Sequence, residues 1–340
     1  MSLRAVLTGC GAMSAGWIDA AKQIPGLSIA GFVDLDPRRA QAAAASWGGN
    51  AQTGADAVAM IDALRPDILF DVAVPMARHT LVAQALSRGC HVLTEKPMAE
   101  TMAQAADLLA RAKAAGRIHA VIQNRRYIAP IRRIRRLLAS GVLGRVTSLH
   151  CDFFLGPHFG GFREDMRHVL LLDMAIHTFD AARCLSGQDA EAVYCREWNP
   201  PGSWFAHESS AAAIFELTDG AVFTYRGSWV AQGLGTSWES AWRIVGERGS
   251  LVWDGHDDIR AEIVGPPRSH LFDTAQSVEI PPRDAEDRID GHLGVMRDFV
   301  AAIEGGLQPE TRGEDNIKSF AMVMAAIRSA ESGMRVAVDV

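Results

Sequence analysis

Short apolar runs alternate with helical patterns through the first third of the chain. Ala5 to Thr8 predicts a strand, as do Leu27 to Val33, Asp67 to Val74, His91 to Thr94 and Ile118 to Gln123. Ala15-Gly16-Trp17 open a helical pattern, and further helices are expected over 40–47, 56–64, 80–88 and 101–115. Mostly apolar strands separated by helices imply a parallel sheet covered on both faces. Ligands bind such a sheet beyond the C-terminal ends of its strands. Gly9, Asp34, Val74-Pro75, Glu95-Lys96 and Gln123-Asn124 all fall there.

The pattern changes after residue 124. Ile128, Ile131, Ile134, Leu137 and Leu138 recur at helical spacing, and Arg125, Arg126, Arg132, Arg133, Arg135 and Arg136 interleave with them. This predicts an amphipathic helix with a solvated arginine face rather than a nucleic-acid patch. Val146 to Phe154 predicts a long strand, and 169–185 a helix. Beyond Gly187 the period becomes two, with strands expected at 191–197, 208–217, 220–230, 239–246, 250–254 and 259–264. Asp219-Gly220 is a hairpin signal, and Gly246 to Gly249 marks another turn. Residues 265–287 resemble a surface excursion. Helices at 288–304 and 314–332 and a short strand at Arg335 to Val338 close the chain.

The expected fold class is therefore α/β followed by α+β. A doubly wound, Rossmann-type parallel sheet covers 1–124. A large, mostly antiparallel open sheet flanked by helices covers 125–340, with the C-terminal helices free to pack back on the first domain. Trp229, Trp238, Trp242 and Trp253 are expected in packing or subunit contacts. A sheet of this size with one face uncovered would expose much apolar surface, so a homodimer or homotetramer through that face is expected.

Composition narrows the function classes. Of 340 residues 48% are hydrophobic and 22% charged, ordinary for a globular protein. A net charge of −6 argues against nonspecific nucleic-acid binding and against a basic membrane surface. No apolar stretch approaches the roughly 18 residues that span a bilayer, and no leader pattern precedes the first strand, so a cytoplasmic location is expected. The five cysteines are scattered without a CxxC, which points to reduced, buried thiols rather than disulfides or a zinc site.

Gly9-Cys10-Gly11-Ala12-Met13-Ser14 follows the first strand and opens a helix. The first glycine permits a tight turn. The second lets the backbone approach a pyrophosphate at the helix N-terminus. The third position needs only a small residue, which Ser14 is. Asp34, about twenty residues on, can accept from both ribose hydroxyls and repel a 2′-phosphate, favouring NAD. Asp36-Pro37 then starts the next helix, and Arg38 and Arg39 keep NADP as a second candidate. His79, after the Val74-Pro75 corner, either touches the nicotinamide end or caps a helix. Asp173, His177 and Asp180 are spaced i, i+4, i+7 and share a helical face. Such groups on an apolar helix are costly to bury unless partnered. Catalysis is one explanation; a structural Asp–His pair, or Asp180 paired with Arg183, is the other. A metal site is conceivable, but two ligands at i, i+4 without a clear third are a weak signal for one. The stretch 156–167, with His158, Gly160, Gly161, Arg163 and Arg167, is a candidate substrate loop. His292 has no clear partner.

Taken together, Gly9-Cys10-Gly11-Ala12-Met13, Asp34, Glu95-Lys96-Pro97, Asp173-Met174-Ala175-Ile176-His177 and Ser332-Gly333-Met334-Arg335-Val336 resemble the Gfo/Idh/MocA oxidoreductases over nearly the whole chain. The resemblance implies that Lys96, Asp173 and His177 face the nicotinamide, that Lys96-Pro97 is a cis bond, and that Gly9, Gly11, Ala12, Met13, Asp34, Val74, Pro75, His79, Glu95, Lys96 and Asn124 surround NAD. The family often has a glycine run before the Asp helix. Here the residues are His168-Val169-Leu170-Leu171-Leu172, which narrows the expected pocket floor. The implied activity is reversible oxidation of a secondary alcohol on a sugar, polyol or sugar-derived ring, without a metal. Imidazole ordinarily titrates near 6.5, which suits His177 as the base. Lys96 would hold the reacting oxygen, with Asp173 as orienter, although Lys96 as base stays open. An NAD-dependent glycoside hydrolase using transient redox, or an NAD-binding sensor, are the alternatives.

Overall fold

The computed structural model describes residues 2–340 except 266–270, 272, 286, 288 and 290. Part of the expected excursion at 265–287, and the expected helix start at 288, lie outside the described residues. In chain order the elements are β1 (Leu3–Thr8), α1 (Ser14–Ala21), β2 (Leu27–Val33), α2 (Pro37–Trp47), β3 (Gln52–Gly54), α3 (Ala57–Leu64), β4 (Ile68–Asp71), α4 (Pro75–Ser87), β5 (His91–Thr94), α5 (Met102–Ala115) and β6 (His119–Val121). There follow α6 (Ala129–Ala139), β7 (Val146–Phe154), α7 (Ile176–Ser186), β8 (Ala190–Trp198), β9 (Ser210–Leu217), β10 (Val222–Ser228), β11 (Ala241–Gly246), β12 (Gly249–Trp253), β13 (Ile259–Ile263) and β14 (Gln276–Val278). The last elements are α8 (Gly291–Gly305), α9 (Gly313–Ser332) and β15 (Val336–Ala337). The chain divides into two compact units: Met1–Asn124 with Ile289–Phe320, and Arg125–Arg288 with Ala321–Val340.

In the first unit six parallel strands lie in the order β3-β2-β1-β4-β5-β6. The order reverses between β1 and β4, which opens a crevice beyond their C-terminal ends. Ala5, Val6 and Leu7 and Ile68, Leu69 and Phe70 are wholly buried, as strands covered on both faces must be. β4 is shorter than the apolar run to Val74 predicts. Asp71 ends it, because its carboxylate accepts from Ala73 N at 3.1 Å and turns the chain out of the ladder. α4 begins at Pro75, five residues before the expected start, since proline suits the first helical turn, where no N–H is needed.

The second unit holds a nine-stranded sheet among the described residues, in the order β14-β13-β12-β11-β7-β10-β9-β8-β15. Only the β7–β10 pair is parallel. On one face Phe179 of α7 meets Phe215 at 4.8 Å and Tyr225 at 5.3 Å between ring centres. Trp229, Trp242 and Trp253 are buried in packing, whereas Trp238 is half exposed. α6 forms as expected, burying Ile131, Ile134 and Leu137. The expectation of a wholly solvated arginine face is corrected: Arg126 is buried against Asp180 at 2.6 Å, and Arg125 is paired with Glu239 at 2.8 Å. These arginines are internal ties.

Candidate active site

The glycine loop after β1 sits at the crevice, and its two glycines meet different demands. Gly9 has φ of +84°, and a Cβ there would come within 2.5 Å of the Val72 and Ala73 backbone. At Gly11 a Cβ would meet nothing within 4 Å; the space above it is open. Ser14 is buried and its hydroxyl donates to Gly11 O at 2.7 Å, which is why serine serves at the third position. α1 has Met13 at its N-cap and no side-chain cap, so the helix N-terminus offers its N–H groups and dipole to an anion. Burial, reinforced by the Asp34 charge, pushes the Cys10 thiol up to about 12, keeping this loop free of a thiolate.

Asp34 directs both oxygens at this turn. Oδ2 accepts from Cys10 N and Oδ1 from Asp36 N, each at 2.8 Å. Each oxygen retains a lone pair for a ribose hydroxyl. Asp36 caps α2 by accepting from Arg38 N at 3.0 Å, as expected, and it also engages the Arg38 guanidinium. Leu35 is 90% and Met76 80% exposed, and Met13 and Val74 also stand open on the loops after β1, β2 and β4. Open space over Gly11, an uncapped helix N-terminus, a carboxylate at the β2 end and an apolar rim fit a dinucleotide.

Lys96 follows β5, and Lys96-Pro97 is cis. Beneath it lies a brace that the sequence did not announce. Arg78, 1% exposed, donates from Nε to Asp71 Oδ2 at 2.8 Å, from Nη1 to Pro97 O and from Nη2 to Ala73 O, both at 2.6 Å. Thr94 Oγ1 donates to the same Asp71 oxygen at 2.5 Å. One buried guanidinium thus fixes the loop after β4 to the loop carrying Lys96. Its only sequence signal was an arginine near the start of a helix that follows an acidic strand end. His79 instead ties α4 to α5, with Nε2 2.8 Å from Asp107 Oδ2.

Glu95 is buried and accepts from Trp17 Nε1 at 2.9 Å. Burial pushes its carboxyl up, but the nearby His292 imidazole, the Lys96 charge and the Trp17 hydrogen bond outweigh this and hold it below its usual value. His292 does have partners. Its Nε2 lies 3.9 Å from Glu95 Oε1, and Asn124 Nδ2 is 3.4 Å from its Nδ1. Asn124 Oδ1 is buried with no partner among the described residues, an acceptor left over at the β6 end.

Asp173 and His177 belong to the second unit. From Val169 to Arg183 every residue is buried except Leu172, Asp173 and His177. Leu170–Ala175 is π-helical and passes directly into α7. The extra residue per turn rotates Asp173 relative to the i, i+4 expectation. Where a glycine run was the family's pattern, His168 itself adopts φ of +53°, and Val169, Leu170 and Leu171 turn into the core. Arg163 Nε donates to Asp173 Oδ2 at 3.1 Å. Asp180 faces inward to Arg126, while Arg183 pairs with Asp189 at 2.7 Å. Among the described residues no three His, Cys, Asp or Glu side chains are placed to hold a metal ion.

A parallel sheet with a glycine loop at its switch point and a carboxylate after β2, followed by a large open sheet, defines a dinucleotide-dependent oxidoreductase. A family model described as "Oxidoreductase family, NAD-binding Rossmann fold" matches residues 3–123, and one described as "GFO/IDH/MocA C-terminal domain" matches 131–252. The chain belongs to the Gfo/Idh/MocA oxidoreductases, and its first unit is NAD-binding. It is 30% identical to dTDP-3,4-didehydro-2,6-dideoxy-alpha-D-glucose 3-reductase of Streptomyces antibioticus, over 83% of this chain and 82% of that protein. It is 26% identical to D-apiose dehydrogenase of Rhizobium rhizogenes, over 98% and 97%. An oxidoreductase from Agrobacterium radiobacter, solved with NAD+, L-tartaric acid and magnesium, superposes with a TM-score of 0.87 at 24% identity, covering 99% of both chains.

Proposed function

We propose that this protein reversibly oxidises a secondary alcohol on a sugar, polyol or sugar-derived ring. The observation that carries this is that Asp173 and His177 are part-exposed where every other residue from Val169 to Arg183 except Leu172 is buried. The other ionisable groups of this segment, Asp180 and Arg183, are buried in ion pairs, which leaves Asp173 and His177 as the ionisable groups it presents for chemistry. Two relatives bear the names of a sugar dehydrogenase and a sugar-nucleotide reductase, which supports the substrate class. Gly9, Gly11, Ala12 and Met13 would hold the pyrophosphate, and Asp34 the ribose. Val74, Pro75, His79, Glu95, Lys96 and Asn124 would line the rest of the cofactor. Held there, NAD would supply a hydride acceptor for the carbinol carbon.

The chain's own residues then handle the proton and the oxygen. Lys96 donates a hydrogen bond to the reacting oxygen and stabilises its developing negative charge. His177 takes the hydroxyl proton. Asp173 orients the imidazole and binds a neighbouring hydroxyl. The brace from Arg78 holds Lys96 at the height set by the β5 end. Lys96→Ala should lower turnover by roughly a hundredfold to ten-thousandfold, measured as NADH formation at 340 nm with a panel of sugars and polyols. NAD affinity, followed by fluorescence, should fall far less than turnover, since Lys96 is one of several residues lining the cofactor. Near-normal turnover of the variant would remove Lys96 from the chemistry.

A further inference from the structure

Arg163 lies in the loop between β7 and the π-helical stretch, and the reaction assigned above makes no use of it. Its Nε is engaged with Asp173. Its guanidinium carbon sits 5.3 Å from the Phe159 ring centre and 5.1 Å from that of Phe162. Phe159 is anchored in turn, edge-on to buried Trp229 at 5.2 Å. The loop itself is tied down. Gly160 N donates to Glu164 Oε1 and Ala206 N to Glu164 O, both at 2.8 Å. Trp204 stacks on His158 at 4.0 Å and donates to Pro157 O at 3.1 Å. An arginine on an untethered loop would sample many rotamers in water; this one is held by a carboxylate, two rings and a braced backbone.

Only Nε is used. The edge formed by Nη1 and Nη2 has no hydrogen-bond partner among the described residues, and the side chain is 30% exposed. That edge is a planar fork matched to a carboxylate, which it can bind through two parallel N–H···O bonds. The flanking rings partly desolvate the cation, which strengthens what it binds. We propose that Arg163 anchors a substrate carboxylate, so that the alcohol oxidised belongs to a sugar acid, an aldonate or uronate, rather than to a neutral sugar. This rests on Asp173 being part of the reaction site. The Nε bond fixes the fork beside Asp173, so a carboxylate on the fork brings the substrate's hydroxyl-bearing carbons alongside. The Arg163 charge also offsets Asp173, which would otherwise repel an anion. A single fork matches phosphate in geometry as well, but its one positive charge balances a carboxylate and leaves a phosphate dianion only about half-neutralised.

The test compares D-gluconate with sorbitol, D-glucuronate with D-glucose, and adds D-glucose 6-phosphate. Each is assayed for kcat/KM by NADH formation and for binding to NADH-loaded protein by calorimetry. The acids should be preferred. Arg163→Met should lower the acid-to-neutral ratio roughly tenfold to a hundredfold, the size of a lost charged hydrogen-bonded pair. Arg163→Lys, which keeps the charge and loses the fork, should fall between. Melting curves verify that both variants fold. If Arg163 merely braces Asp173, both substrate types weaken together and the ratio holds, which overturns the proposal. Preference for the neutral compounds or the phosphate, or failure of both acids to bind, overturns it too. If no compound is oxidised yet an acid binds in an Arg163-dependent way, the carboxylate anchor stands and the oxidation assigned under Proposed function fails.

Discussion

Gly9 and Gly11 stand two residues apart and separate folding from binding. Gly9→Ala meets both a left-handed φ and a backbone contact at 2.5 Å, so it should cost roughly 2 kcal/mol or more. Gly11→Ala adds a methyl to open space, so urea midpoints should barely move. NAD affinity should fall about tenfold or more, of order 1.4 kcal/mol, because the methyl occupies the approach to the pyrophosphate. Equal NAD affinity in Gly11→Ala would refute the cradle. His119 carries the pH dependence at this scale. Burial, with the Arg78 charge second, lowers it from 6.5 to about 4, and neither ring nitrogen has a partner among the described residues. The unfolded chain takes up this proton near 6.5 and the folded chain only near 4. Its contribution is therefore complete above pH 6.5 and is lost as pH falls toward 4. Between pH 7 and pH 5 this should remove about 2 kcal/mol. In urea melts at the two pH values, His119→Leu should show a smaller loss than wild type; an equal loss would mean another group titrates.

At the scale of elements, the loops after β4 and β5 are joined by Arg78 rather than by packing alone. Arg78→Leu leaves the Asp71 carboxylate buried and strips donors from Ala73 O and Pro97 O. Removing one partner of a buried pair costs about 3–5 kcal/mol, and turnover should fall further as Lys96 loses its support. His79→Leu, by contrast, breaks a part-exposed pair with Asp107 and should change stability little. Urea melts on both variants check the stability contrast, equal destabilisation would show that the brace is unimportant, and NADH kinetics on Arg78→Leu check the support of Lys96. The brace also shows what sequence patterns carry. Periodicity located β1, β2, β5 and α5 because each buries a regular face. It missed the start of α4, where Pro75 and the Asp71 turn override the apolar run. It missed the π-helical turn at Leu170–Ala175, since one extra residue leaves apolar spacing almost unchanged. It could not pair Asp71 with Arg78, Asn124 with His292 or Arg163 with Asp173. Those contacts are set by which chain ends the fold brings together, and no local spacing encodes them.

For the whole molecule, the composition break after residue 124 marks where the parallel unit gives way, but nothing in composition marks the return of Ile289–Phe320 to it. The second unit poses the remaining question. Outward positions of adjacent strands align Tyr194 with Ile214, Ile214 with Thr224 and Thr224 with His150. Ile214 is 52%, Tyr194 48% and Trp198 42% exposed. The face is not the apolar expanse that sheet size alone led us to expect. Arg226 engages Asp152, and Arg335 engages Glu216. Exposed apolar side chains set among paired charges of both signs can complement their own image across a twofold axis. We propose that this face meets a second copy of the chain. β7, β8, β9 and β10 have seven to nine residues and the other five strands two to six, so at about 3.3 Å per residue and about 4.8 Å between strands the nine cover roughly 850 Å². That patch reaches the roughly 800 Å² per partner of a stable interface. Sedimentation should find a dimer or tetramer at micromolar concentration. Ile214→Arg with Tyr194→Arg should shift it to monomer while NAD binding, seated on the first unit, is retained. A wild-type monomer under those conditions would mean the mixed charges suffice to keep this face in water.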